Sequence, residues 1–195
     1  MARNIYGLDL GSYEIKVYDK KKDTIWKEKD VIAIADKKEI FAVGDDAYEM
    51  YEKAPSNIEV VFPMKEGVIS RFNNMQFLLQ NLLKKDRQFA RGSEYVIAVP
   101  TDVTEVEKKA FFDLVIHSTA RAREVNIVER SIADAVGLNL DVKNTGGLFI
   151  ANFGGETTEL SVLAGGGMVM NRLLKIGGVS FDLAVVNLVR HSHDF

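Results

Sequence analysis

Residues 148–163 read LFIANFGGETTELSVL, and residues 5–18 read IYGLDLGSYEIKVY. In each segment two runs rich in apolar residues flank a short turn of glycine and polar residues, a pattern that predicts a β-hairpin. The same device therefore occurs at two places in the chain. Such a recurrence indicates internal duplication, and we expect two related domains that face each other.

Both predicted turns carry groups suited to phosphate. Glycine lets backbone N–H groups approach an anion closely, and a triphosphate also needs hydroxyls, a cation and carboxylates that reach Mg²⁺ through water. The first hairpin supplies Asp9, Gly11, Ser12 and Lys16, and the second supplies Gly154, Gly155, Thr157 and Thr158. On the residues alone, phosphate binding and two ordinary turns remain open alternatives.

Between and after the hairpins, predicted strands alternate with helices. Strands are expected near 31–35, 40–43, 95–99, 125–129 and 168–174, and helices near 45–53, 72–85, 104–120 and 132–138 and from Phe181. We expect Asp45 or Asp46 to cap the first helix, and Thr104 with Glu107 matches a capping box. The alternation predicts an α/β fold with a largely parallel central sheet.

Composition restricts the class of protein. The chain has 195 residues, of which 47% are hydrophobic and 27% charged, as in ordinary globular proteins with a sizeable core. Its net charge of −3 argues against nucleic acid as a partner. The absence of cysteine excludes disulfides and thiolate zinc sites, and three histidines make a poor metal site. Because the N-terminus lacks the apolar run of a signal peptide, we expect an intracellular protein.

Several longer motifs support a family resemblance. They are VGDDAYEM at 43–50, PMKEGVI at 63–69, VPTDVTEVEK at 99–108, AREV at 122–125, the second hairpin and the turn at 176–178. In order and along nearly the whole chain, they resemble the MreB/Mbl-type rod-shape-determining family of bacterial actins. This family is part of the superfamily of actins, sugar kinases and heat-shock chaperone ATPases.

The resemblance implies an α/β fold of the actin-like ATPase (ribonuclease H-like) type. Residues 1–30 and 67–146 would form subdomain IA, 31–66 the small inserted subdomain IB, and 147–195 the start of subdomain IIA. Family chains continue well past this length and carry most of the adenine pocket there, so we expect a truncated chain whose second half is only begun. An incomplete sheet leaves an open edge, which favours self-association.

The resemblance also implies a function. We expect a cytoplasmic filament protein, peripheral at the inner face of the cell membrane, that binds ATP and Mg²⁺ and organises cell shape and cell-wall synthesis. Its expected partners are further copies of itself and membrane proteins of cell-wall synthesis and division. The implied nucleotide-binding residues are Asp9, Gly11, Ser12, Tyr13, Lys16, Gly154, Gly155, Glu156, Thr157 and Thr158, with Asp9 and Asn152 reaching Mg²⁺ through water and Thr157 as a candidate catalytic group.

Three residues depart from the family pattern at the expected site. Arg130 stands where the family has the glutamate that positions the attacking water, Asn152 replaces a magnesium-facing aspartate, and Glu156 replaces a glycine. Loss of a general base slows hydrolysis by roughly 10²–10⁴-fold, so we expect at most a slow ATPase. Whether Arg130 neutralises Glu156 or a γ-phosphate, or only faces solvent, is left open.

The segment 84–91 lies where the family carries an apolar membrane-touching loop. Arg87, Phe89 and Arg91 predict a weak membrane contact, since a cation near an anionic leaflet contributes about 1 kcal/mol. A solvated basic loop is the alternative. Two rival functions also remain: a non-hydrolysing scaffold or adaptor similar to FtsA or PilM, which Lys16 favours, and a sugar-kinase-type phosphotransferase, which the missing glutamate disfavours.

Overall fold

A computed structural model describes residues 4–85, 92–118, 122–144 and 146–193. The chain divides into two compact units, Met1–Val99 with Val103–Val128, and Pro100–Asp102 with Glu129–Phe195. The main segment of the second unit begins at Glu129, earlier than the predicted start of the second half at residue 147. The reason is that the helix before residue 147 packs on the strands that follow it.

The first unit is built on a five-stranded sheet. Its strands are β1 (Ile5–Leu10), β2 (Glu14–Asp19), β3 (Thr24–Lys29), β9 (Glu94–Val99) and β10 (Glu124–Glu129), in the order β10-β9-β1-β2-β3. β1 runs parallel to β9 but antiparallel to β2, and β2 runs antiparallel to β3. The prediction of a largely parallel sheet is therefore wrong. Tight turns join β1, β2 and β3, and strands joined in this way pair antiparallel.

Two helices of this unit were predicted from the sequence. They are α2 (Phe72–Lys85) and α3 (Glu105–Ile116), and their buried side chains share one core with those of β1 and β9. The capping box of α3 is confirmed: Glu107 N donates to the Thr104 hydroxyl at 3.3 Å, and Thr104 N donates to the Glu107 carboxylate at 2.7 Å. The helix ends at Ile116, before the predicted end near residue 120.

A small inserted lobe, residues 31–66, has a buried cluster of its own, while its Ile32 and Met64 belong to the main core. It contains β4 (Ile32–Ala35), β5 (Glu39–Val43), the short helix α1 (Asp45–Tyr48) and β6 (Ile58–Val61), with sheet order β5-β4-β6. A two-stranded ribbon of β7 (Met64–Lys65) and β8 (Val68–Ile69) connects the end of the lobe to the chain that follows. Val31, Ala33 and Ala47 form its buried centre.

The helix predicted at 45–53 is wrong in length and in its cap. It spans four residues, and its N-cap is Gly44 at φ 64°, with no side-chain cap hydrogen bond. A positive φ favours glycine over aspartate at the cap. Asp45 and Asp46 lie in the first turn instead, and Asp45 N donates to the Glu28 carboxylate at 2.7 Å.

The second unit is a three-stranded antiparallel sheet with one helix packed on it. Its elements are α4 (Arg130–Gly137), β11 (Leu148–Phe153), β12 (Thr158–Ala164), β13 (Gly167–Leu174) and α5 (Gly178–His193). The strand order is β11-β12-β13, and Ala135, Ile150 and Leu163 form the buried centre. The three strands match their predicted positions within one residue. No residue of α5 is buried.

Two tyrosines of the first hairpin have opposite environments. The Tyr13 hydroxyl lies 3.2 Å from that of Tyr48, and a hydrogen bond with Tyr48 and the nearby Lys29 ammonium lower the pKa of Tyr13. The Tyr18 hydroxyl donates to the Asp23 carboxylate at 2.9 Å, and this bond raises the pKa of Tyr18. Both side chains are exposed to a similar extent, at 40% and 37%. The effects of substituting the two tyrosines can therefore be compared directly.

Replacement of the α3 cap should destabilise the chain. Thr104→Ala removes one acceptor of the capping box, and the loss of such a cap costs about 1 kcal/mol of unfolding free energy. Urea unfolding measures this difference. Val106→Ala is the control, because Val106 is 79% exposed in the same turn and is expected to change stability by less than about 0.5 kcal/mol. Equal effects of the two substitutions would contradict the capping role.

The two tyrosines should change alkaline stability in opposite directions. Because the folded pKa of Tyr13 is below its unfolded value, its ionisation favours the folded state, and the stability advantage of wild type over Tyr13→Phe should grow as pH rises through that pKa. The raised pKa of Tyr18 has the opposite sign, so the advantage over Tyr18→Phe should shrink. Denaturant unfolding across alkaline pH tests this, and trends of the same sign would refute the assignment.

Candidate functional site

The turn of the first hairpin is held by contacts on three sides. A Cβ added at Gly11 would lie 2.8 Å from the Glu14 carbonyl oxygen, so only glycine fits there. The Ser12 hydroxyl oxygen accepts a hydrogen bond from Gly67 N at 3.1 Å, and the Tyr13 carbonyl accepts one from Asp30 N at 3.0 Å. The Ser12 hydroxyl keeps its own hydrogen for donation to a ligand.

Asp9 and Lys16 face each other across β1 and β2. They are direct neighbours in the strand register, and the Lys16 ammonium lies 3.1 Å from an Asp9 carboxylate oxygen. Both side chains are about two-fifths exposed, so the ion pair is accessible to solvent. Each charge is partly neutralised by the other. This pairing reduces what Asp9 can offer a cation and what Lys16 can offer a phosphate.

The turn of the second hairpin packs against the start of α5. Gly154 N closes the turn by donating to the Thr157 carbonyl at 2.8 Å. The carbonyl groups of Gly154 and Gly155 accept hydrogen bonds from Gly178 N and Val179 N, at 3.0 and 2.8 Å. This approach requires glycine at 177, where an added Cβ would lie 2.6 and 2.7 Å from those two carbonyl oxygens.

These hydrogen bonds fix the direction of two N–H groups. In a planar trans peptide the N–H points opposite to the C=O of the same unit, and both peptides of the turn are trans. Since the carbonyls of Gly154 and Gly155 point at α5, the N–H groups of Gly155 and Glu156 point away from it. Successive N–H groups on one side of a turn form an anion-binding concavity.

The two threonines of this turn are placed differently from the glycines. The Thr158 hydroxyl donates to the Ile176 carbonyl at 2.7 Å, so its hydrogen fastens β12 to the segment before α5. Thr157 is 6% exposed and lies at the close of the turn. Of the two hydroxyls predicted to contact phosphate, that of Thr158 therefore has no hydrogen left to donate.

Asn152 has a partner that sequence analysis did not identify. Its amide nitrogen donates to an Asp134 carboxylate oxygen at 2.7 Å, which joins β11 to α4. The two residues line an open cavity of about 400 Å³ together with apolar side chains of α4 and β11. The signal for Asp134 was its position as the acidic residue within the predicted helix 132–138. The structure therefore places one carboxylate beside the predicted metal-facing amide.

Arg130 begins α4 and follows its N-cap, Glu129. The next residue, Ser131, is buried and lies 3.5 Å, oxygen to oxygen, from the Thr101 hydroxyl. Thr101 N in turn donates to the carboxylate of Glu159, which is 3% exposed. Sequence analysis missed this buried polar contact. It anchors residues 100–102 to β12 and fixes the chain at the beginning of α4.

Among the described residues of the second unit, Glu159 is the most completely buried carboxylate. One of its oxygens accepts from Thr101 N at 3.1 Å and from the Asn171 amide at 2.8 Å, and the same amide reaches the Ser161 hydroxyl at 2.8 Å. Alternation along β12 puts Glu159 on the same face as the buried Ser161 and Leu163. The sequence did not indicate this burial, because the apolar Leu160 and Val162 lie on the opposite face of β12.

The remaining predicted contacts concern metal and membrane. Across residues 4–85, 92–118, 122–144 and 146–193, no three histidine or carboxylate side chains cluster as metal ligands. Arg87, Phe89 and Arg91 lie outside the described residues. Within the described part of the chain, no helix has both the length and the apolar character needed to cross a membrane.

Comparison with known proteins shows the family of the chain. The family model for MreB/Mbl protein matches residues 3–195. Over 201 residues the chain is 35% identical to the cell shape-determining protein MreB of Escherichia coli strain K12. The aligned region covers 99% of this chain and 57% of that relative. The chain thus spans little more than half the length of the curated relatives it matches.

Solved structures give the same fold. MreB5 of Spiroplasma citri bound to AMPPNP superposes with a TM-score of 0.90 at 27% identity, covering 98% of this chain and 58% of that one. A MamK double helical filament matches with a TM-score of 0.80 at 21% identity, covering 99% of this chain and 60% of that one, a likeness in fold alone. The fold is therefore actin-like, as the sequence predicted. With a family match over almost the whole chain, the chain belongs to the MreB/Mbl family.

Proposed function

We propose that this chain binds the phosphates of ATP at its two hairpin turns. The observation that carries the proposal is the outward direction of the Gly155 and Glu156 N–H groups, which the α5 hydrogen bonds impose. Gly11, the Ser12 hydroxyl and Lys16 are the proposed donors of the first hairpin, beside Tyr13 in its turn. Thr157 is a further proposed phosphate contact of the second hairpin. Thr158 has a structural role, because its hydroxyl donates to the Ile176 carbonyl. The AMPPNP bound to the related MreB5 supports this choice of ligand.

Magnesium would be held weakly and through water. Asp9 is paired with Lys16, and Asn152 is a neutral amide bound to Asp134. An amide oxygen and a partly neutralised carboxylate suit an ordered water shell better than direct ligation, since Mg²⁺ keeps several waters in most protein sites. The residues therefore fit an outer-sphere role, in which the metal would neutralise phosphate charge.

Hydrolysis would be slow. Phosphoryl transfer depends on positioning the attacking water and on neutralising charge, and Arg130 cannot accept a proton from that water. Glu129 is the N-cap of α4 and Arg130 is its first residue. We therefore do not expect the Glu129 carboxylate to replace the missing general base at position 130. We propose nucleotide binding with little or no turnover.

At the level of the cell, we propose a filament-forming protein that organises cell shape and cell-wall synthesis. It would self-associate and act in the cytoplasm, peripherally at the inner face of the membrane, with membrane proteins of cell-wall synthesis and division as partners. The names of the relatives support cell-shape determination, and the actin-like fold supports self-association. These are proposals for the whole protein, because the chain spans 57% of that relative.

A non-hydrolysing scaffold of the same superfamily is the second candidate. The Asp9–Lys16 ion pair favours it, because the pair consumes the carboxylate most suited to magnesium. Sedimentation distinguishes the two functions. A filament protein pellets when magnesium ATP is added, whereas a scaffold stays in the supernatant with or without nucleotide.

Removal of the Glu156 carboxylate should strengthen nucleotide binding. A unit charge next to a triphosphate at the protein surface costs about 1 kcal/mol, so Glu156→Gln should lower the dissociation constant for magnesium ATP by about fivefold. Calorimetry on the whole chain measures it. Glu39→Gln removes an exposed charge in the inserted lobe and should leave the constant unchanged. Weaker binding by Glu156→Gln would contradict a phosphate at this turn.

Restoring a glutamate at position 130 should raise the hydrolysis rate. If the missing general base limits turnover, Arg130→Glu should release phosphate roughly 10²–10⁴-fold faster than wild type, the contribution typical of such groups. Single-turnover phosphate release is the measurement. Arg123→Glu makes the same charge change at an exposed position before β10. An equal gain from the control, or none from Arg130→Glu, would refute the role assigned to this position.

A further inference from the structure

The turn of the first hairpin is joined to the inserted lobe by aromatic side chains. The rings of Tyr13 and Tyr48 meet edge to face with centroids 5.7 Å apart, and Tyr48 stacks on Tyr51 at 6.0 Å. Tyr51 meets Phe62 edge to face at 5.2 Å. The Lys29 ammonium lies 3.8 Å from the centroid of the Tyr13 ring and 5.2 Å from that of Tyr48. We call these five side chains the aromatic cluster.

The aromatic cluster lies outside the main core, on which Ile32, Ile34, Ile40 and Val43 of the lobe also pack. Tyr13 is 40% exposed and is not part of the main core, so its ring position rests on Lys29 and Tyr48. Tyr48 and Phe62, at the other end of the cluster, pack against the lobe centre formed by Val31, Ala33 and Ala47. A continuous row of rings thus runs from the turn into the lobe.

Backbone contacts reinforce the connection at the same point. The Tyr13 carbonyl accepts from Asp30 N at 3.0 Å, and Asp30 directly precedes the lobe. The buried Asp30 carboxylate accepts from Met64 N at 3.0 Å, where the chain leaves the lobe. The turn is therefore attached at the base of the lobe, where the chain enters the lobe after Asp30 and leaves it near Met64. A displacement of the turn would have to move this base, or break these contacts.

We propose that Tyr13 is a positioning residue whose ring, held by Lys29 and Tyr48, couples the first hairpin turn to the inserted lobe, so that phosphate at the turn and order in the lobe stabilise each other. The ligand part of this inference rests on the proposed function, whereas the coupling within the chain does not. Coupling between two sites is reciprocal, so a ligand that orders the turn must also order the lobe.

The size of the coupling follows from the contacts. An edge-to-face aromatic pair and a surface cation–π contact together correspond to about a 5- to 20-fold change in an equilibrium constant. Tyr13→Leu removes both contacts. Tyr13→Phe removes only the hydroxyl and keeps the ring over Lys29 and against Tyr48, so it should retain most of the coupling.

Hydrogen exchange at residues 45–53 of the lobe, on the whole chain without nucleotide, tests the coupling. Tyr13→Leu should speed exchange there about 5- to 20-fold, while Tyr13→Phe should resemble wild type. Tyr18→Leu is the matched control, because Tyr18 is equally exposed on the same hairpin and contacts Asp23 instead. Lys29→Met removes only the cation–π contacts and should speed exchange in the same direction by a smaller factor. Unchanged exchange in both Tyr13→Leu and Lys29→Met would overturn the proposal.

Magnesium ATP then tests the transmission from turn to lobe. It should slow exchange at residues 45–53 in wild type and in Tyr13→Phe, and have little effect on these residues in Tyr13→Leu. ATP that binds wild type without slowing exchange in the lobe would overturn the coupling. Failure of wild type to bind ATP would instead contradict the proposed function, and the nucleotide-free comparison would still decide whether Tyr13 couples the turn to the lobe.

Discussion

The chemistry of the second hairpin depends on two hydrogen bonds, from Gly178 N and Val179 N to the carbonyls of Gly154 and Gly155. They orient both peptide planes of the turn, and the N–H groups of Gly155 and Glu156 point away from α5 as a result. The absence of a side chain at Gly177 permits this approach. In the proposed function the phosphate donors of this turn are therefore backbone groups, which the departures of Glu156 and Asn152 from the family pattern do not remove.

The first hairpin achieves its geometry by other means. Its turn is tied through Ser12 to Gly67 and through Tyr13 to Asp30, so side chains and the base of the inserted lobe decide its position. The carboxylate available for a metal is engaged by Lys16. Under the proposed function, the paired Asp9 carboxylate of this hairpin favours retention of a nucleotide over its hydrolysis.

The sequence predicted the hairpins and α3 well, because their signals are local: period-two alternation around glycine turns, and a capping box. Prediction from the sequence failed for elements whose structure depends on contacts with other parts of the chain. β3, with the sequence TIWKEK, is largely polar and packs mainly through Trp26, so its alternation was not recognised. α1 stops after Tyr48, and Gly44 rather than an aspartate is its cap, because the backbone there adopts a positive φ.

The sequence predicted which residues would form the candidate site, but not which hydrogen-bond and ion-pair partners their side chains would have. Glycines and hydroxyls are visible in a sequence, whereas the partners of Lys16, Thr158 and Asn152 lie on other elements and depend on register and packing. The burial of Glu159 could not be predicted either. Alternation along β12 places it opposite the apolar Leu160 and Val162, and the donors that stabilise its buried carboxylate, Thr101 N and the Asn171 amide, come from distant segments.

The proposed role of the Gly155 and Glu156 N–H groups as donors to phosphate can be tested by heteronuclear NMR on the whole chain, titrated with magnesium ATP. We expect the largest amide shifts at Gly155 and Glu156, and small shifts at Gly154 and Val179, whose N–H groups are bonded within the protein. Saturation with ATP that leaves the amides of Gly155 and Glu156 unshifted would exclude this role.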